Sequence, residues 1–249
     1  MLTSPDGFEY QPLDTDGSVI RLLRLGRGRD LSVIQCTLKH VSLVGANQMP
    51  YEALSYTWGG KLRSVRIEVN GVPHMVTYNL AKALTHLRYT DQKRLDQVQL
   101  MKRIFNQADQ VIFWLGDANR DTNILFNSLN QLLMESTKRY SQTYLDEGEW
   151  REIWQELQYK RVVGHSEPYL TLRQTSGLRT LFDQPWFNRM WFIREVVLAR
   201  TAEVCCGYKS TPARIFALAP VVLGIWTSRS VILDIMPGSS TVNQWWVPN

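Results

Sequence analysis

Long apolar runs, histidine and cysteine are all scarce in this sequence. The longest apolar stretch, Ile215 to Trp226, is broken by Pro220 and Gly224 and falls short of the roughly 20 residues a bilayer demands, so no membrane span is expected. The first thirty residues carry Asp6, Glu9, Asp14 and Asp16 and no apolar core, which does not read as a signal peptide. Cys36, Cys205 and Cys206 are the only cysteines and none stands in a C-x-x-C pair. They read as reduced thiols filling strands as small hydrophobes in a cytoplasmic protein. His40, His74, His86 and His165 are scattered without ligand spacing, so no metal site is expected. The net charge of +5 is spread along the chain with no block of like charges, which argues against a nucleic-acid partner. The G-x-S-x-G elbow and the G-x-x-x-x-G-K-[ST] loop are absent, removing the serine-hydrolase and P-loop classes.

What is present is ordinary globular material. With 249 residues, 44% apolar and 20% charged, the chain can bury a core as one large domain or one domain with an insertion. Ile20 to Leu25 and Leu31 to Leu43 read as strands joined by GRGRD. The G-x-G there precedes no helix pattern, so it reads as a hairpin turn rather than a phosphate loop. Tyr51 to Gly60, YEALSYTWGG, reads as a buried strand ending in a tryptophan and two glycines. Val65–Val69 and Val72–Thr77 flank Asn70-Gly71, a strong hairpin signal.

Asn79 is expected to cap a helix carrying Leu80, Ala83, Leu84 and Leu87 on one stripe, and a second helix carries Val98, Met101, Ile104, Phe105 and Ala108. Gln110 to Gly116, QVIFWLG, is the near-continuous apolar run of a strand covered on both faces. Ile124 to Leu133 and Glu149 to Tyr159 predict two helices, followed by a polar loop. PWFNRMWFIREVVLAR predicts one helix leading into the strand AEVCCG, and a last helix begins near Pro212. Two successive helices interrupt the strand–helix alternation, with only RYTDQKRLD where a strand between them would stand.

Three blocks, YEALSYTWGG from Tyr51, QVQLMKRIFNQADQVIFWLG from Gln97 and PWFNRMWFIREVVLAR from Pro185, resemble the fungal heterokaryon-incompatibility (HET) domain in order and register. NGVPHMVTYNLAKALTHLR fits as well, and the resemblance covers roughly residues 18 to 210. A family strand of the type LWIDAICINQ is missing after Arg88. The HET domain is similar in turn to the Toll/interleukin-receptor (TIR) domain. This resemblance implies an α/β fold, a flavodoxin-like parallel sheet of order 2-1-3-4-5 flanked by helices. EALSYTW would be the first strand, QVIFWLG the third and AEVCCG the fourth, with the missing second strand at an edge. A marginally stable or aggregation-prone product follows from that loss. The implied layout is an N-terminal β extension over 1–50, a core over 51–210 with a helical insertion at about 118–180, and a C-terminal helix and truncated tail over 211–249.

TIR domains that cleave NAD rely on a glutamate often found as W-x-x-x-E, and Trp191 and Glu195 stand at that spacing. One helical turn would put ring and carboxylate on one face. The ring could hold nicotinamide while Glu195 steadies an oxocarbenium-like transition state. No metal or cofactor is needed, with NAD as the substrate. The same residues also read as core, with Glu195 paired to Arg189 or Arg194. Tyr56, Trp58 and Gly59 follow the first strand, and Gly116 and Asp117 follow QVIFWLG. These are the strand ends where α/β sheets place a nucleotide, although Trp-Gly-Gly also fits a plain turn and Asp117 a helix cap. Three functions stay open: an incompatibility protein acting in regulated cell death through NAD cleavage, a self-associating module that recruits other cell-death proteins without catalysis, and an inert truncated variant.

Overall fold

The computed structural model describes residues 19–28, 32–44, 50–60, 62–89, 94–96, 101–140, 145–163, 169–189, 191–225 and 233–238. Its architecture is α/β, with two mixed sheets and helices packed around them. The N-terminal sheet contains β1 (Val19–Leu25), β2 (Ile34–Ser42), β4 (Arg63–Val69), β5 (Val72–Thr77) and β6 (Arg94–Asp96), in the order β5-β4-β2-β1-β6. β1 and β2 form the expected antiparallel hairpin. Asn70 and Gly71 adopt φ 52° and 79° and turn β4 back onto β5, as a two-residue hairpin loop with positive φ at both positions requires. This second hairpin joins the N-terminal sheet through a parallel β2–β4 pairing.

The second sheet has the order β3-β7-β8-β9, from β3 (Glu52–Tyr56), β7 (Gln110–Trp114), β8 (Ala202–Cys206) and β9 (Lys209–Pro212). β3, β7 and β8 are parallel and β9 returns antiparallel. β7 is central and its residues Val111 to Trp114 are all buried, which is why that stretch shows no polar alternation. Among the described residues β3 is an edge of this sheet. β6 stands where the family strand is expected but pairs with β1, in the other sheet.

Helix α1 (Tyr78–Tyr89) lies between the sheets. Its Ala81, Ala83, Leu84 and Leu87 share one core with Ile34, Cys36, Ile67 and Val69 of the first sheet and with Ile112, Trp114 and Cys205 of the second. The opposite face of β3-β7-β8 packs on a larger core. That core draws on α2 (Met101–Gln107), α3 (Arg120–Arg139), α4 (Glu147–Val163), α5 (Leu170–Phe182), α6 (Phe192–Leu198), α7 (Ala213–Phe216) and α8 (Ala219–Leu223).

Four expectations need correction. Asn79 does not cap α1: the Leu80 N–H is accepted by the Thr77 hydroxyl at 3.3 Å, because the helix starts at Tyr78, two residues earlier than a cap at Asn79 implies, and leaves Asn79 in its first turn. Asp117 does not cap α3 either. Asn119 does, through a reciprocal capping box with Thr122. α5 occupies sequence expected to be a polar loop; its buried residues Leu170, Gln174, Gly177, Leu178 and Leu181 follow helical spacing with two polar or small members, which dilutes the apolar signal. PWFNRMWFIREVVLAR is not one helix but a 3-10 turn at Pro185–Asn188, a break, and the seven-residue α6.

Candidate functional site

The carboxyl ends of β3, β7 and β8 lie side by side, and two polar groupings stand around them. The first is buried. Alternation along β3 turns Ser55, with Ala53, toward the larger core. There the Ser55 hydroxyl donates to Glu195 Oε2 and accepts from the indole N–H of Trp186 at 2.7 Å. Arg189 grips both oxygens of Glu195, at 2.6 Å and 3.1 Å, and also reaches Ser55 Oγ at 3.2 Å. The Glu195 side chain is 1% exposed and that of Arg189 20%. A serine, an indole, a guanidinium and a carboxylate therefore join β3 to the 3-10 turn and α6. Fork-to-fork geometry makes this a strong, directional pair.

Trp191 does not join the group. Its carbonyl accepts the Glu195 N–H at 3.3 Å, so the two residues are one backbone turn apart. Trp191 is nevertheless 54% exposed. At ~100° per residue the inward stripe of Phe192, Glu195, Val196 and Ala199 is centred about 90° from Trp191. Glu195 falls inside the stripe and Trp191 at its margin, where its ring carries the Arg194 guanidinium 5.8 Å away. The expected common face for ring and carboxylate is thus not formed.

The second grouping is open. Trp58 is 58% exposed and stacks on Tyr56, with ring centroids 6.0 Å apart. Burial pushes the Tyr56 hydroxyl up to about 12, with nearby Arg189 pulling it the other way. The Asn79 amide donates to the Thr57 carbonyl at 2.6 Å and accepts the Trp114 indole N–H at 2.9 Å, so α1 braces the segment below Trp58. Gly59 has φ +73°, and a Cβ there would meet only Asn79 Cβ at 3.7 Å; the backbone, not space, calls for glycine. Gly116 has φ +116° and its carbonyl accepts the Gly207 N–H at 2.9 Å. The Asp117 carboxylate lies 4.0 Å from Lys82 Nζ, with the two side chains 54% and 38% exposed, and its carbonyl accepts from Cys206 Sγ.

The site residues read from the sequence thus fall into three places: Glu195 in the buried pair, Trp191 on the surface beside Arg194, and Tyr56, Trp58, Gly59, Gly116 and Asp117 along the strand ends. Sequence reasoning passed over Ser55 and Trp186. A lone serine on the inward face of an apolar strand is the signal that could have found the first, since a buried hydroxyl needs a partner. A cavity of about 180 Å³ lined by Ser42, Tyr51, Gln107 and Asp109 sits at the amino end of β3 and β7 and is smaller than the ~300 Å³ at which ligand pockets begin. Among the described residues no group of three or more His, Cys, Asp or Glu could hold a metal ion. No helix of the described residues is long and apolar enough to cross a membrane.

Residues 51–195 match the family model described as heterokaryon incompatibility protein (HET). The matched span runs from the residue before β3 to Glu195 and so takes in Ser55, Trp186 and Arg189. The heterokaryon incompatibility protein 6, OR allele, of Neurospora crassa is 29% identical over 198 residues, covering 64% of this chain and 29% of that protein. The chain therefore spans less than a third of the length of this relative. No solved structure matches.

Proposed function

Because the chain belongs to the heterokaryon incompatibility family, by a match over more than half of its residues, we propose that it acts in heterokaryon incompatibility, by binding and cleaving NAD at the carboxyl edge of β3-β7-β8. The observation that supports this reading most is the placement of Glu195. It lies beneath the end of β3, hydrogen-bonded to Ser55, one residue before the Tyr56–Trp58 stack. Ligands of open α/β sheets sit at such an edge. In the reaction the bond between nicotinamide nitrogen and ribose C1′ breaks, and water supplies the new C1′ oxygen. The products are nicotinamide, ADP-ribose and a proton. Glu195 would stabilise the positive charge that develops on the ribose, provided Arg189 gives up at least one carboxylate oxygen. The resemblance to TIR domains, and the cell-death output it implies, belong to this reading.

A second reading has an observation of its own. Glu195 is 1% exposed with both oxygens held by Arg189, as expected of a structural tie in a domain that works by self-association and by recruiting partners. Nicotinamide release from NAD by concentrated protein separates the two. Release that Glu195→Gln abolishes while the fold is retained supports cleavage. No release from a folded wild-type chain under assembling conditions refutes it in favour of the module.

A further inference from the structure

Around the Asp117–Lys82 pair the strand ends carry a concentration of exposed aromatic surface. Tyr78 and Lys82 lie one turn apart on α1, and the ammonium stands 5.3 Å over the Tyr78 ring. Trp58, Tyr78 and Tyr208 are 58%, 51% and 65% exposed. Tyr208 follows the end of β8 and is close enough to act electrostatically on Lys82. These rings come from three separate elements, and those of Tyr78 and Tyr208 act on one lysine. Exposed rings beside a cation and a carboxylate make an uncommon surface, since large apolar side chains usually stand singly.

Each part has a chemistry. The Lys82 pairing is loose: its partner Asp117 is at the 4.0 Å limit of an ion pair, and both side chains reach water, so little is lost when the ammonium turns to a better anion. The first turn of α1 holds no acidic residue, so its positive end is not neutralised from within the helix and adds to the field at Lys82. Thr57 Oγ1, one residue past β3, is buried without a hydrogen-bond partner, an unmet polar group beneath this edge. Asp117 can accept from ribose hydroxyls, and the rings can take the faces of planar bases.

We infer that Lys82, framed by Tyr78 and Asp117, binds the diphosphate of the nucleotide taken up at the carboxyl edge of β3-β7-β8. The inference rests on the nucleotide reading above and extends it to residues outside the buried Glu195 pair. It makes phosphate, rather than the base, the group that α1 selects.

Calorimetric titration of the full chain with ADP-ribose and with adenosine tests it, comparing wild type with Lys82→Met, which keeps the aliphatic stem and removes the charge. Lys138→Met, an exposed lysine on α3 paired with Glu135, controls for the loss of one positive charge. The expected result is a loss of roughly tenfold to a hundredfold in ADP-ribose affinity for Lys82→Met, the scale of one charge-assisted hydrogen bond. Adenosine binding should be unchanged, the salt dependence of ADP-ribose binding shallower, and Lys138→Met like wild type. Equal ADP-ribose affinity in wild type and Lys82→Met would overturn the inference while leaving the nucleotide reading intact. So would a parallel loss of adenosine binding, which would make Lys82 structural. A folded wild-type chain that binds neither probe would overturn the nucleotide reading, and this inference with it.

Discussion

Replacing Arg189 by methionine puts the buried pair under the most direct test. The guanidinium supplies two hydrogen bonds to Glu195, at 2.6 Å and 3.1 Å, and a third to Ser55. Without it the carboxylate keeps only the Ser55 hydroxyl at a depth water barely reaches. Breaking a buried pair by removing one partner costs about 3–5 kcal/mol, because a charge is left uncompensated in a poorly polarisable interior. In a domain of this size that corresponds to a fall in Tm of about 6–20 °C. The two partners are not equivalent. Arg189 is 20% exposed and Glu195 1%, so a stranded guanidinium can turn to solvent and a stranded carboxylate cannot. Glu195→Gln, which keeps shape and an acceptor for Ser55, should therefore cost only about 1–2 kcal/mol. The double variant Arg189→Met/Glu195→Gln should be more stable than Arg189→Met alone. Urea unfolding followed by circular dichroism reads all three. The reasoning fails if Arg189→Met lies within about 0.5 kcal/mol of wild type, or if Glu195→Gln proves the more damaging change.

Three further outcomes follow from other parts of the fold. Burial raises all three thiols, Cys36 to about 11 and Cys206 to about 12, with Cys205 also well up; the native chain should resist a thiol-specific reagent at neutral pH and react at three positions once unfolded in urea, and fast labelling of the native chain would contradict this. His86 is held below its ordinary value, chiefly by burial against the opposing pull of the Gly207 backbone and Glu203. The unfolded chain then takes up a proton more readily, so stability is full above about pH 6.5 and declines as pH falls through the unfolded and then the folded value. His86→Gln should flatten that decline between about pH 7 and 5, and an unaltered profile would assign it to other groups. A Cβ at Gly177 would stand 2.5 Å from the Asp121 carbonyl oxygen, so Gly177→Ala should cost about 1–3 kcal/mol by forcing α5 off α3; an unchanged melting temperature would refute that close approach.

Much of the fold was legible where one local rule decides. Asn70-Gly71 fixed a turn by its backbone preference alone, and the unbroken apolar character of Val111 to Trp114 announced a central strand. What could not be read depended on neighbours distant in the sequence. β6 pairs with β1 across some seventy residues, and nothing in three residues of RLD announces that choice. Asn79 has the composition of a cap, yet Trp114 and Thr57 claim its amide, so a tertiary contact overrides a local preference. Asp117 and Asn119 are both plausible caps, and the reciprocal bond with Thr122 selects the second.

The W-x-x-x-E spacing illustrates the same limit at the site itself. Spacing determines that the Trp191 carbonyl meets the Glu195 amide; it does not determine which residue faces inward. That depends on where the apolar stripe of a seven-residue helix falls, and the stripe takes Glu195 and leaves Trp191 at its edge. Once the carboxylate is buried, Arg189 becomes obligatory, since the alternative is an unpaired charge. The catalytic reading of Glu195 then carries an energetic condition that spacing alone never disclosed. Freeing the carboxylate from Arg189 forfeits interactions worth about 3–5 kcal/mol, and a ligand can shift that equilibrium only by binding the opened state better by a comparable amount. An anionic substrate meets the condition in a way a neutral one does not, because guanidinium exchanges a carboxylate for a phosphate with little loss. The pairing that makes Glu195 look structural is therefore compatible with cleavage where a phosphate of the substrate takes over the guanidinium. Nicotinamide riboside, which carries the scissile bond and no phosphate, should be cleaved far more slowly than NAD if Glu195 is the catalytic carboxylate; equal rates for the two would remove Arg189 from the reaction.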